Sequence, residues 1–267
     1  MAKKKESNDS AIKILRILTW PFLMLFKLLS WIVQMLTTAI DHLINTSRKR
    51  ESVGAESTYV PLKIIDTESG SYNQFETFLA KNPSTIGIIL GARGSGKTAI
   101  GLKLLENLHT MSRKHIYAMG FKPNEMPPWV HIVESLNDIT NNSYILIDEG
   151  GILFSARKSF SDANKLLSEL LLIARHKDLS VIFISQNSAN LEINAIRQAD
   201  YLILKPSSLM QLDFERKRIK DIYTEVADKF KRYKKKGLTY IYSDKFKGFV
   251  SNELPGFWTE KISKSFR

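Results

Sequence analysis

One short stretch limits the fold more than any other. The apolar run Ile86-Gly87-Ile88-Ile89-Leu90 leads directly into Gly91-Ala92-Arg93-Gly94-Ser95-Gly96-Lys97-Thr98, and a helix-forming segment follows from Ala99 to about Leu108. The turn fits the pattern G-x-x-x-x-G-K-S/T at every fixed position. A buried strand that delivers the chain to such a turn lets successive backbone N–H groups point inward at one anion, and the helix beginning near Gly96 adds its positive end. An ordinary glycine turn would account for Gly91 or Gly96 but not for the Gly-Lys-Thr that follows. The whole segment, Gly91, Ala92, Arg93, Gly94, Ser95, Gly96, Lys97 and Thr98, is therefore expected to cradle the phosphates of a nucleotide such as ATP. Lys97 is expected to reach the β- and γ-phosphates and the Thr98 hydroxyl to hold Mg²⁺.

A second apolar run, Ser143-Tyr144-Ile145-Leu146-Ile147, ends in Asp148-Glu149. Two acids after a strand are also common in a plain solvated turn, but about fifty residues after a phosphate loop they suit hydrolysis. Asp148 would sit on the metal's water shell and Glu149 would polarise the attacking water. A third run, Val181-Ile182-Phe183-Ile184, ends in Ser185-Gln186, and ligands sit at the carboxyl ends of strands in open α/β sheets. Gln186 is thereby a candidate contact to the γ-phosphate and to that water.

The charge is unevenly placed. The 267 residues carry a net +12, made up of +6 over residues 1–50, −1 over 51–205 and +7 over 206–267. Basic ends around a neutral centre suit a polyanion, either nucleic acid or an anionic membrane face. There is no cysteine, so neither a disulfide framework nor a cysteine-ligated zinc site is available, which fits an intracellular protein. His115 and His131 lie on or beside apolar runs, and their spacing suggests packing rather than metal binding.

From Ile17 to Ile40 the only charge is Lys27, a span long enough to cross a bilayer. Yet Lys13, Arg16, Lys27, Ser30, Gln34, Thr37, Asp41 and Asn45 recur at helical spacings and form one polar stripe, with Pro21 expected to kink the helix. Two membrane readings stay open. One is a spanning helix whose stripe faces other copies; the other is an amphipathic helix in the interface with Trp20 and Trp31 near the headgroups. Packing of the apolar face on the rest of the protein is the plain alternative. Lys3-Lys4-Lys5 and Arg48-Lys49-Arg50 flank both ends, so charge gives no orientation; a phosphate loop must face the nucleotide pool, which puts that domain in the cytoplasm.

The remaining chain alternates strands and helices. Residues 46–60 read as a linker, and the folded part is expected to start at Pro61, with a short strand at Leu62–Ile65 and an amphipathic segment around Phe75, Phe78 and Leu79. Further strands are expected at His115–Met119 and Val130–Val133, then a buried helix over Lys165–Ala174. A helix from about Phe214 to Lys236, closed by Gly237, carries the apolar stripe Ile219, Ile222, Val226, Phe230 and Tyr233 and a basic face including Arg216, Lys217, Lys220, Lys229 and Arg232. That face is either simply solvated or tracks nucleic-acid phosphates. Strands at Thr239–Tyr242 and Phe246–Val250 read as a terminal hairpin, and Pro255-Gly256-Phe257-Trp258 as packing. This order predicts an α/β fold with a mostly parallel sheet between helical layers. Its parts are a basic, membrane-associated segment 1–45, the linker 46–60, a core 61–205, and a basic helix and hairpin 206–267 that complete the core.

The phosphate loop, the Asp148-Glu149 pair, and Ala174-Arg175-His176-Lys177-Asp178-Leu179-Ser180 feeding a strand that ends in Gln186 together resemble the FtsK–HerA superfamily of DNA-pumping P-loop ATPases. The likeness runs from about Ile86 to Lys205, and is strongest to the viral genome-packaging ATPases and the zonula occludens toxin-like morphogenesis proteins of filamentous phages. It implies a sheet of the additional-strand type, with the Gln186 strand between those of the phosphate loop and Asp148. It also implies a homo-oligomeric ring with nucleotide at each interface. By the same likeness Arg175 is the candidate arginine finger, with Arg157 the runner-up; the plain alternative for Arg175 is a cation at a helix carboxyl end. Gly150-Gly151 after the acidic pair departs from the bulkier residues often found there.

The resulting expectation is a membrane-tethered oligomeric ATPase using ATP and Mg²⁺ to move double-stranded DNA in genome packaging, extrusion or transfer. The alternative is a virion-assembly or secretion factor acting on virion or secretion proteins at the membrane without gripping DNA. A small-molecule kinase fits less well, because Glu149 and Gln186 suit water activation.

Overall fold

A computed structural model describes residues 56–149, 160–191 and 193–264, together with Met24, Lys27, Leu28, Ser30, Trp31 and Gln34–Leu36. The chain divides into two compact units, Met1–Val53 and Gly54–Arg267.

The second unit is built on one nine-stranded sheet. Its strands are β1 (Lys63–Gly70), β2 (Ile86–Leu90), β3 (His115–Met119), β4 (Val130–Ile132), β5 (Ser143–Asp148), β6 (Leu179–Ile184), β7 (Tyr201–Leu204), β8 (Leu238–Ser243) and β9 (Phe246–Ser251). They lie in the order β1-β9-β8-β7-β2-β6-β5-β3-β4. From β7 to β4 every pairing is parallel, whereas β8, β9 and β1 are antiparallel additions to one edge. As expected, the sheet is mostly parallel and the Gln186 strand, β6, separates the phosphate-loop strand from that of Asp148.

Helices cover both faces. Tyr72–Lys81 (α1) and Lys97–Met111 (α2) lie on one side, and Phe160–Ala174 (α3), Ile193–Gln198 (α4) and Lys217–Tyr233 (α6) on the other. The short helices Leu209–Phe214 (α5) and Glu260–Lys264 (α7) complete the set. Side chains alternate across a strand, and the strands divide accordingly. Ile88 and Leu90 of β2 join Val181 and Phe183 of β6 in the core under α3 and α6, while Ile89, Ile182 and Ile184 join the core under α1 and α2. Strands buried on both faces are nearly continuous apolar runs, which is why β2, β5 and β6 stand out in the sequence. β7 has the same character in only four residues, Tyr-Leu-Ile-Leu, and was not among the expected strands.

Several boundaries differ from expectation. Residues 57–60 are held to α1 and α2 rather than free: the Val60 N–H donates to Asn107 Oδ1 at 3.2 Å, Asn107 Nδ2 donates back to the Val60 carbonyl at 2.8 Å, and the Tyr59 hydroxyl donates to Glu76 at 2.6 Å. Helix α6 stops at Tyr233, with Lys234 in the left-handed region (φ 39°), so the closing residue is Lys234 and not Gly237. The basic face of α6 is partly neutralised. Lys229 lies between Asp66 (2.9 Å) and Glu68 (2.7 Å) of β1, which raise its pKa, Lys220 pairs with Asp213 (3.1 Å), and Arg216 donates to the carbonyls of Ser188 and Leu191. Lys217, Arg232 and Lys234–Lys236 stay exposed. His115 and His131 are exposed rather than packed, and no cluster of three or more histidines and acids with metal-holding geometry occurs among the described residues. Phe257 packs as expected, edge-on against Trp129 with ring centroids 5.4 Å apart.

In the first unit the described residues are helical and exposed. Met24, Leu28, Trp31 and Met35, spaced four, three and four apart, share one helix face beside Lys27, Ser30 and Gln34. Among the described residues no helix is long and apolar enough to cross a membrane. The rest of the expected span and stripe, including Lys13, Arg16, Trp20, Pro21, Thr37, Asp41 and Asn45, lies outside the described residues.

Candidate functional site

Parallel register brings four strand ends to one edge. Ile89 pairs with Ile184, Asp148 pairs with the same Ile184, and Leu90 pairs with Leu204. The residues that follow β2, β5, β6 and β7, namely Gly91, Glu149, Ser185 and Lys205, therefore emerge side by side. The Ser185 N–H donates to the Ile89 carbonyl at 3.0 Å and the Lys205 N–H to the Leu90 carbonyl at 2.8 Å, so the pairing continues into the loop.

The phosphate loop turns tightly. Gly91, Gly94 and Gly96 have φ of 150°, 75° and 92°, and the Ser95 N–H closes back on the Ala92 carbonyl at 3.1 Å. α2 then starts at Lys97. Arg93 is exposed, whereas Lys97 is buried and its Nζ donates to the carbonyls of Gly91 (2.8 Å) and Ala92 (2.9 Å). Burial pushes the Lys97 pKa down, and the nearby charges of Asp148 and Glu149 push it back up. Ser95 Oγ is the single buried side-chain polar atom without a hydrogen-bond partner among the described residues. A buried hydroxyl left unpaired costs stability, so a loop that strands one beside a lysine and a helix amino end fits a phosphate ligand.

The acidic pair is joined to this loop. The Thr98 hydroxyl donates to Asp148 Oδ2 at 2.9 Å across the sheet's edge, and both groups are types that bind Mg²⁺ through oxygen. Glu149 is 4% exposed. Burial raises its pKa, while the Ser185 hydroxyl, donating to Oε2 at 2.5 Å, and the Gln186 N–H lower it. A carboxylate with a raised pKa and two fixed donors is held ready to accept a proton from water.

Sequence reasoning placed Gln186 here, and its side chain is exposed at the end of β6. Its main chain does the anchoring: the N–H serves Glu149 and the carbonyl accepts from Gln211 Nε2 of α5. Ser185 and Lys205 were not assigned roles from sequence, although both directly follow apolar strands. Arg175 is exposed in the turn between α3 and β6. It lies at the amino edge of the parallel strands, separated from the loop edge by the length of β6, about 20 Å at roughly 3.3 Å per residue. Arg175 is thus not brought to the phosphate loop of its own chain. Gly150-Gly151 and Arg157 lie outside the described residues.

A strand, this glycine turn and a helix, in register with a carboxylate-tipped strand two places away, form the phosphate-loop architecture of P-loop NTPases. The sequence matches no family model. It also matches no curated protein sequence. Among solved structures the chain is similar to B204, the DNA-packaging ATPase from Sulfolobus Turreted Icosahedral Virus, at 19% identity over 64% of this chain and 99% of that one, with TM-score 0.45. It is similar to EssC (ATPases 2 and 3) from Geobacillus thermodenitrificans at 8% identity over 80% and 48% of the two chains, TM-score 0.43. It is also similar to the pCW3 conjugation coupling protein TcpA, at 11% identity over 69% and 64%, TM-score 0.42.

The Ser185 contact makes a direct prediction. Ser185→Ala removes the hydroxyl that favours ionised Glu149, so the Glu149 carboxyl should titrate at a higher pH than in the wild type, read by ¹³C NMR of its side-chain carboxyl. An unchanged midpoint would show that Ser185 does not anchor the carboxylate.

Proposed function

We propose that this protein is a Mg²⁺-dependent ATPase of the FtsK–HerA type that couples hydrolysis to movement of double-stranded DNA. The observation that carries the hydrolase reading is the joined site: Lys97, the Thr98–Asp148 contact and the Ser185-anchored Glu149 at one edge of the sheet. With nucleotide bound, Lys97 would exchange its two loop carbonyls for phosphate oxygens, Thr98 and Asp148 would hold the metal, and Glu149 would take a proton from the attacking water. Bound Mg²⁺ supplies neutralisation of phosphate charge. Gln186, exposed beside Glu149, is positioned to orient water.

Transition-state charge on the transferred phosphoryl group is well matched by a planar guanidinium, and Arg175 lies at the far edge of its own sheet. We assign Arg175 to the site of a neighbouring subunit, which makes the active form an oligomer, in the ring that the FtsK–HerA likeness implies. The exposed basic residues Lys217, Arg232 and Lys234–Lys236 offer phosphate contacts that need no base reading. DNA packaging is what the similar Sulfolobus virus protein is named for, so DNA is the polymer to test first; virion or secretion proteins are the alternative substrate.

A panel of variants tests the assignment. Lys97→Ala should lose nucleotide binding, while Glu149→Gln and Arg175→Ala should bind ATP and hydrolyse it more slowly, by about 10²- to 10⁴-fold for the base and about 10³- to 10⁵-fold for the arginine. Double-stranded DNA should stimulate the wild type, and mixing Arg175→Ala with Lys97→Ala subunits should restore hydrolysis. Near-normal turnover by Glu149→Gln would remove its role as base; no recovery in demonstrably mixed oligomers would place Arg175 outside the neighbour's site. Stimulation by a protein partner and not by DNA would favour the assembly-factor reading.

The exposed face of Met24, Leu28, Trp31 and Met35 supports membrane association through the amino-terminal helix, with the ATPase domain in the cytoplasm. Full-length protein should sediment with membranes. Release by alkaline carbonate would indicate a helix lying in the interface and retention a spanning one, whereas a wholly soluble distribution would contradict membrane tethering.

A further inference from the structure

Behind the phosphate loop lies a second lysine that none of the chemistry above uses. Lys205 follows β7 and is 1% exposed. Its main chain is fixed twice, by its N–H to the Leu90 carbonyl and by the Tyr223 hydroxyl, which donates to its carbonyl at 3.1 Å. The next residue, Pro206, accepts the Ala92 N–H at 3.0 Å. The side chain then runs beneath the loop. A Cβ on Gly91 would meet Lys205 Cβ at 2.5 Å, and one on Gly96 would lie 3.4 Å from Cε and 3.7 Å from Nζ. Gly91 is therefore required by this lysine's path as well as by its positive φ, whereas Gly96 touches the lysine at ordinary contact distance and is required by its φ alone. Nζ ends among four neutral acceptors: the carbonyls of Gly237 (3.0 Å) and Leu238 (3.2 Å), Thr239 Oγ1 (2.7 Å) and Asn252 Oδ1 (3.0 Å).

A methionine would fill the same volume without the penalty of burying an ammonium. Dipoles stabilise the charge, but no carboxylate among the described residues pairs with it. What would compensate it is an anion held by the phosphate loop, whose Gly91 and Gly96 lie against this lysine's side chain. We propose that Lys205 is a positioning residue of the nucleotide site, a buried ammonium that fixes the back of the phosphate loop to the β8–β9 hairpin and adds positive charge behind bound phosphates. The proposal rests on the phosphate-site reading above.

Proton linkage makes it measurable. Burial pushes the Lys205 pKa down to about 7. Of the titratable groups near it, the Tyr223 hydroxyl of α6 donates to its carbonyl and Lys97 of α2 follows the Gly96 that its side chain touches; the Tyr223 pKa is shifted upward, out of the range tested. Bound phosphates favour the charged lysine, so they raise its pKa. Binding should then take up a proton, with affinity fully present below pH about 7 and lost as pH rises through the higher, bound-state value.

The test is calorimetric titration of the full chain with ADP in excess Mg²⁺, which keeps the terminal β-phosphate ionised, in buffers of different ionisation enthalpy between about pH 7 and 9. The wild type should take up roughly half a proton near pH 7.5, and its affinity should fall up to about tenfold across the range for each unit of pKa rise. Lys205→Met should bind more weakly at the low end with no uptake from this source. Asn252→Asp gives Nζ a carboxylate at the place of an existing acceptor, which keeps the lysine charged but offsets its field at the phosphates, so it should bind ADP with an affinity that stays level from pH about 7 to 9, below that of the wild type at the low end, and take up no proton from this source. Wild-type uptake persisting undiminished in Lys205→Met, or affinity in Asn252→Asp falling in step with the wild type, would overturn the proposal. ADP binding by the wild type at every pH without proton uptake would also overturn it while leaving the phosphate site standing. Failure of the wild type to bind ADP at any pH would sink the phosphate-site reading, and this proposal with it.

Discussion

Everything at the site depends on the pairing of β2 with a parallel strand on each side. Five residues, Ile86–Leu90, are buried completely between β6 and β7. Because neighbouring strands run in the same direction, the ends of β2, β5, β6 and β7 fall at one edge, and residues far apart in sequence meet there without any long side chain having to reach. Thr98 touches Asp148, and Ser185 touches Glu149, through contacts of 2.9 and 2.5 Å. A slip of one residue in β2 would reverse the faces of Ile88 and Ile89 and move the loop off this edge.

The same packing sets the electrostatics. Lys97, Glu149 and Lys205 are each below 10% exposed and each is shifted by burial toward its neutral form. Such charges oppose folding. Their grouping around a loop that also strands the Ser95 hydroxyl is more easily understood as preorganisation for an anionic ligand than as a contribution to stability. Elsewhere charges are arranged conventionally, as in the Lys103–Glu106 pair at 2.8 Å or Lys229 between Asp66 and Glu68.

How much of this the sequence reveals depends on the physical signal each element carries. Strands β2, β5 and β6 are legible because burial on both faces demands unbroken apolar runs, and the phosphate loop is legible because its glycines, lysine and threonine are fixed by geometry. β7 is short enough to be passed over. Ser185 and Lys205 have no local signature, since their partners, Glu149, Thr239 and Asn252, lie 36, 34 and 47 residues away. The basic face of α6 misleads for the same reason: the acids that neutralise Lys229 come from β1, more than 160 residues earlier. Arg175 could be found by resemblance alone, and its distance from its own phosphate loop emerges only from the direction of β6.

In the proposed site the β2–α2 loop binds a triphosphate, with metal held by Thr98 and Asp148. A crystal structure of the protein soaked with Mg²⁺ and a non-hydrolysable ATP analogue tests it most directly. The account predicts phosphate density against the amides of Gly94 to Thr98, Lys97 Nζ moved from the Gly91 and Ala92 carbonyls onto phosphate oxygens, and a metal beside Thr98 and Asp148. Nucleotide bound elsewhere, with Lys97 still on those two carbonyls, would contradict it.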